Sequence, residues 1–159
     1  MSIRIEAVTP DTLEWLEAGL HALARDLNDP YRLAPAALER ALFSDTPVCS
    51  GALTFDGEEM CGVALFSPMM STAFGCPGVY VSDLWVAPDA RGSGLGRRLL
   101  AHVARDAAAL WGSGFLRLAA YDDNPRSIDF YQGLGFERVS TETALRLSGA
   151  DFENLTRIA

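Results

Sequence analysis

The stretch from Val79 to Arg98 holds the residues best suited to chemistry. Arg91-Gly92-Ser93-Gly94-Leu95-Gly96 lies between an apolar strand-like run and an amphipathic helical run. Glycines let a backbone turn tightly and approach a ligand closely. The helix start that follows offers unpaired N–H groups and the positive end of a dipole. Such a loop suits a pyrophosphate, and Arg97 and Arg98 would add attraction for anions. It is also readable as a plain strand-to-helix turn. A dinucleotide site of GxGxxG type fits poorly, because Arg97 stands where the last glycine belongs and over half the chain precedes the loop. Just upstream, strand alternation places Asp83 on one face with Val81 and Trp85. A carboxylate there needs a reason: it holds a cation or relays a proton, or it pairs with a nearby arginine. Asp26, Asp29, Asp122, Asp123 and Glu142 are further acids that could face a cation, although most such residues are surface charges.

The elements that must position these residues alternate between strand and helix signals. Residues 3–8 alternate as a first strand does. Leu13, Leu16, Leu20, Leu23 and Leu27 then recur at helical spacing, with Thr9 or Asp11 as cap and Asn28-Asp29-Pro30 as stop. A second helix is expected over Pro35 to Phe43. Residues 48–55 and 60–67 read as strands joined by a turn at Asp56-Gly57. A loop of small residues, 68–78, leads to a strand from Val79 to Val86. After the glycine loop comes a helix from Gly96 to Trp111, its buried face lined by Leu95, Leu99, Val103 and Leu110. Phe115 to Tyr121 reads as another strand. Asn124-Pro125 opens a helix that Gly133 and Gly135 close. Two short strands, near 136–140 and 143–147, and a helical tail are expected after it. The fold class is mixed α/β, with a strand–loop–helix–strand–helix unit at its centre.

Bulk composition narrows the function. The 159 residues suit one domain, and 49% apolar against 21% charged residues supports a packed core. No apolar run approaches the roughly 20 residues of a membrane helix. The opening MSIRIEAVTP has no basic segment followed by an apolar one, so a cytoplasmic location is expected. Cys49, Cys61 and Cys76 read as reduced thiols, and with His21 and His102 they show no metal-ligand spacing. A net charge of −8 argues against nucleic acid. All 13 basic residues are arginine, which removes Walker A phosphate loops and Schiff-base chemistry, both of which need lysine.

Coenzyme A remains for the glycine loop, and here a resemblance becomes specific. Leu84-Trp85-Val86, Pro88 and Arg91-Gly92-x-Gly94-Leu95-Gly96 resemble the acyl-CoA signature of the GNAT superfamily. Asn124 and Phe130-Tyr131-x-x-Leu134-Gly135-Phe136 resemble its second conserved block. Pro77 to Val86, with Leu145-Arg146-Leu147-Ser148-Gly149 and Leu155, is similar to the diamine and thialysine acetyltransferase branch. Ser82 departs from that branch, whose members usually carry a second acid there, and this argues against a polyamine substrate.

The resemblance implies a single domain over 1–159, with a central, mostly antiparallel sheet, a splayed parallel pair of strands and flanking helices. It implies acetyl-CoA as cosubstrate, no metal, the primary amine of a small molecule as acceptor (a diamine, a thialysine- or lysine-like amino acid, or a related metabolite), and homodimers, which are common among relatives. A bulge would splay the strand so that pantetheine pairs with Leu84, Trp85 and Val86. The N–H of Val86 would hold the thioester carbonyl oxygen. N–H groups from Arg91 through Gly92, Ser93, Gly94, Leu95, Gly96 and Arg97 would take the pyrophosphate, and Asn124 and Ser127 would contact the rest of the cofactor. Attack needs a neutral amine, which near neutral pH costs about 4 kcal/mol for a lysine-like pKa of about 10.4. Asp83 and Ser82 are the implied substrate contacts, with Asp83 holding the cation or relaying its proton. Tyr131 matches the general acid for the leaving thiolate; otherwise it is a packing aromatic on an amphipathic helix. Peptide or protein acetylation and a CoA-binding module without catalysis are the competing readings.

Overall fold

The computed structural model describes residues 2–158, in two compact units, Met1–Tyr121 and Asp122–Ala159. The first unit holds β1 (Ile3–Ala7), α1 (Leu13–Leu27), α2 (Pro35–Phe43), β2 (Ser50–Asp56), β3 (Glu59–Ser71), β4 (Cys76–Val86), α3 (Leu95–Trp111) and β5 (Leu116–Leu118). The strands form one sheet in the order β1-β2-β3-β4-β5, antiparallel up to β4 and parallel between β4 and β5. This is the expected mixed α/β sheet, mostly antiparallel with one parallel pair.

Helix α1 covers one face of the sheet. Its Gly19 lies so close to Val63 that a Cβ would stand 2.3 Å from Val63 Cγ1. Leu16 and Leu20 of α1, Leu38 of α2, and Leu53 and Val63 of the sheet form the core on that side. A fully buried leucine of this kind contributes roughly 1.5–3 kcal/mol. Helix α3 covers the other face through Leu95, Leu99 and Val103, with Leu99 beside Gly62.

Three expectations for this unit are corrected. Residues 68–78 are mostly strand, and the hairpin turns at Gly75, whose φ is +69°. Pro68 is tolerated there because its partner Val79 donates away from it, to Phe115 O. Its own N therefore faces the side that β2 leaves unpaired beyond Ser50–Phe66, and no ladder bond is lost. β5 spans three residues rather than seven, because β4 pairs with it no further than Val81–Leu118. Leu110 is exposed; the last turn of α3 packs through Trp111, whose indole meets Phe66 edge-on at 6.0 Å.

The second unit holds α4 (Pro125–Gly133) and α5 (Ala150–Leu155). Asn124 caps α4, its side-chain oxygen accepting the Ser127 N–H at 3.2 Å, and Pro125 takes the first helical position. The two strands expected near 136–140 and 143–147 are not formed among the described residues. A strand needs a partner for its row of N–H and C=O groups. No ladder includes these residues, and Leu145 is 91% exposed.

Candidate active site

Strand β4 is paired differently along its length. Its first half, Cys76–Val81, lies against β3, and Val79–Val81 also pairs with β5. Its second half, Ser82–Val86, has β3 on one side and no β5 partner on the other. Ala87 donates to Cys61 O at 2.9 Å, which makes Val86–Gly62 a pair whose own backbone groups point away from each other. By the alternation of the ladder, Leu84 and Val86 therefore aim their N–H and C=O groups at the open edge. Trp85 bonds inward to Val63. Of the three residues expected at this edge, two present backbone and the third, Trp85, is bonded inward with its side chain on the α1 face, donating to Asp26.

A bulge causes the change. Leu65 pairs with Asp83 but Phe66 pairs with Val81, so Ser82 is the extra residue. Its hydroxyl donates to Leu65 O at 3.2 Å. One inserted residue inverts the alternation. Asp83 and Trp85 thus lie on the α1 face with Leu65 and Val63, whereas Val81 lies on the α3 face with Phe66. The shared face expected for Asp83 and Trp85 holds; the one expected for Asp83 and Val81 does not.

Asp83 is half-buried, and among the described residues no arginine pairs with it. Burial raises its carboxyl pKa above the ordinary range. A side-chain hydrogen bond from Ser82 works the other way and is the smaller cause.

Tyr31, which sequence reasoning missed, follows α1 and stacks on His21 at 3.8 Å between ring centroids. Its hydroxyl oxygen is buried with no hydrogen-bond partner among the described residues. Its pKa is raised by burial and by the charges of Glu17 and Asp83. Cys49 is raised by burial and by the same Asp83 charge. Tyr31 and Cys49 both pack against the α1-side core. A lone tyrosine among Asp-Pro-Tyr-Arg carries no sequence signal for this; only the folded register brings it into the field of Asp83.

After β4, a short turn at Pro88–Ala90 leads into the glycine loop. Gly92 and Gly94 have φ of +81° and +83°, and a Cβ on either would stand in open space. Gly94 caps α3, and the first bond back to it comes from Arg98 N at 3.1 Å. The N–H groups of Leu95, Gly96 and Arg97 precede that bond and point out of the helix start. Ser93 is tied inward, its hydroxyl donating to Ala90 O at 2.6 Å. Arg97 and Arg98 are exposed beside them.

Arg91 faces the protein. Its Nε donates to Val86 O at 2.9 Å, and its Nη2 donates to Asp26 Oδ2. The same oxygen accepts the Trp85 indole N–H at 3.0 Å. Asp26 is thus a tether, and Asp29 likewise accepts from the Tyr121 hydroxyl at 2.8 Å. In the second unit, Asp122 pairs with Arg138 at 3.1 Å. Tyr131 there lies between Phe130 and Phe136, with ring centroids 5.1 and 5.5 Å away, and burial raises its phenol pKa. Among the described residues no three His, Cys, Asp or Glu side chains group as metal ligands, and no helix is long and apolar enough to cross a membrane.

Similar proteins were found by sequence and by structure. The profile of the acetyltransferase (GNAT) family matches residues 14–136. A thialysine N-epsilon-acetyltransferase of Bos taurus is 32% identical over 117 residues, which is 69% of this chain and 68% of the relative. The enzyme of that name from Caenorhabditis elegans is 29% identical over 157 residues, 94% of each chain. An integron cassette protein of V. cholerae has the same fold, with a TM-score of 0.78 at 22% identity over 99% of each chain. The profile spans the bulged strand, the glycine loop and α4 together, and with these relatives it places the chain in the GNAT family as an acyl-transferring enzyme.

Proposed function

We propose that this chain transfers an acetyl group from acetyl-CoA to the primary amine of a small molecule, with a lysine- or thialysine-like amine as the favoured class. The observation that carries the reading is the open edge of β4 leading directly into the glycine loop. The groups present suit CoA. Leu84 offers its N–H and C=O, and Val86 its N–H, to an acyl-bearing pantetheine arm, the Val86 carbonyl being held by Arg91. The helix start after Gly94 offers N–H groups to a pyrophosphate, and Arg97 and Arg98 add charge. Asn124 uses its oxygen for the cap, which leaves its amide donors, with the Ser127 hydroxyl, for the cofactor. Relatives named thialysine N-epsilon-acetyltransferase support the amine class. Residues 1–159 act as one cytoplasmic domain in this reading, and as a homodimer.

Each residue has a role. Asp83 holds the ammonium and takes its proton, directly or through water ordered at Ser82, and the orphaned Tyr31 hydroxyl supports a cation beside it. The neutral nitrogen then attacks the thioester carbon. The Val86 N–H donates to the carbonyl oxygen as charge develops there, a contribution that rests on a preorganised donor. The C–N bond forms, the C–S bond breaks, Tyr131 gives its proton to the departing sulfur, and the proton that the new amide nitrogen sheds returns to the phenolate through solvent. A phenol whose pKa is pushed up keeps its proton at neutral pH, as an acid must.

The test is acetyl-CoA-dependent release of free CoA with lysine, thialysine, short diamines, spermidine and peptides with free N-termini. Release with a lysine-like amine is expected. Release with peptides alone would move the acceptor to proteins, and no binding of acetyl-CoA would end the reading. Tyr131→Phe should keep cofactor binding and lower turnover at least tenfold, at the low end of general-acid effects of ~10²–10⁴. Unchanged turnover would return Tyr131 to a packing role.

A further inference from the structure

A distant helix meets the end of β4 and the start of the glycine loop at one oxygen. Asp26 ends α1, Trp85 lies in the open half of β4, and Arg91 opens the glycine loop. The indole N–H and the guanidinium both donate to Asp26 Oδ2. Arg91 also reaches back through Nε to Val86 O. The peptide that carries the Val86 N–H joins residues 85 and 86. It is therefore held on both flanks: by the anchored Trp85 side chain before it, and by Arg91 on the Val86 carbonyl after it.

The cluster is costly for an anion site unless it orders something. Asp26 brings a negative charge to the loop that would hold phosphates, and it offsets the Arg91 charge that would otherwise attract them. The two side chains are 34% and 38% exposed, so solvent screens the pair and it adds little to fold stability. Its effect is then geometric. We propose that Asp26 is a positioning residue of the acyl-carrier site, fixing the end of β4 and the start of the loop through Trp85 and Arg91, with the phosphates left to the helix start, Arg97 and Arg98. The inference rests on the acetyl-CoA reading above.

The test is calorimetric titration of CoA into the full chain and its variants, with thermal melting and steady-state kinetics alongside. Asp26→Ala should weaken CoA binding about tenfold, as loss of orientation does. The melting temperature should stay within about 3 °C, the expectation for losing a screened pair. The amine KM at saturating acetyl-CoA should not change. Asp26→Ala with Arg91→Ala should lose less than the sum of the two single losses, because both cut the Asp26–Arg91 contact. Trp85→Phe, which keeps the ion pair and removes one arm, should cost about threefold, and it keeps the test open where Asp26→Ala fails to fold. Unchanged binding in Asp26→Ala or Trp85→Phe overturns the inference. So does tighter binding in Asp26→Ala, which would make Arg91 a phosphate ligand that Asp26 restrains. A loss that tracks melting temperature and is additive with Arg91→Ala makes the contact merely structural and also overturns it. Wild-type protein that binds no CoA removes the reading beneath, and the inference with it.

Discussion

The two halves of β4 share a strand but do different work. Val79 and Val81 are buried, and the strand there is flanked by β3 on one side and β5 on the other. Leu84 and Val86 are half-exposed, and their backbone faces an edge that β5 does not cover. One inserted residue, Ser82, separates the halves and moves Asp83 from the face of Val81 to that of α1. A single bulge thus converts a structural strand into one that can receive a ligand by backbone and present a carboxylate by side chain.

Removing the partner of the first half should give the largest effect. Phe66 lies opposite Val81 and is 1% exposed. Phe66→Ala should cost about 3–5 kcal/mol of stability, read by denaturant unfolding, while the KM for acetyl-CoA of the remaining folded protein is kept. A change confined to KM would erase the distinction between the halves.

Asp83→Asn should strike the second half alone. Turnover should fall about 100-fold, or about 2.7 kcal/mol, if Asp83 takes the amine proton. Stability should move the other way. The folded carboxyl holds its proton more tightly than the unfolded one, so stability is greatest below the ordinary carboxylate range. It falls as pH rises through that range and levels off above the raised folded value. Asp83→Asn removes this loss, so the variant should melt higher at neutral pH. A variant that melts lower there would show that Asp83 is held by a contact that favours its charge.

Ser82→Ala gives the smallest expected change. The bulge is set by backbone register, and one exposed hydroxyl bond is worth about 0.5–1.5 kcal/mol at most. Turnover should change less than about threefold, or about 0.65 kcal/mol, because the Asp83 carboxylate that takes the proton stays. A tenfold fall would assign Ser82 to the proton path.

Much of this was legible in the sequence. The bounds of α2 follow Pro35 and the apolar spacing, and Asn124-Pro125 opens α4 through the cap that its residue types imply. The glycine loop stands where its spacing puts it. The face of Asp83 was not legible, because alternation counts residues and a bulge adds one. Asp26 looked like surface charge, since its partners lie 59 and 65 positions away. Residues 136–147 carry strand-like alternation, but pairing is a property of two segments and cannot be read from one.

The most direct test of the half-open strand is amide hydrogen exchange at single residues of β4, with and without CoA. Bound ligand should slow exchange at Leu84 and Val86 at least tenfold and leave Val79 and Val81, whose N–H side is already covered by β5, unchanged. Protection that appears equally along all four, or at none of them while CoA is bound, would contradict the account.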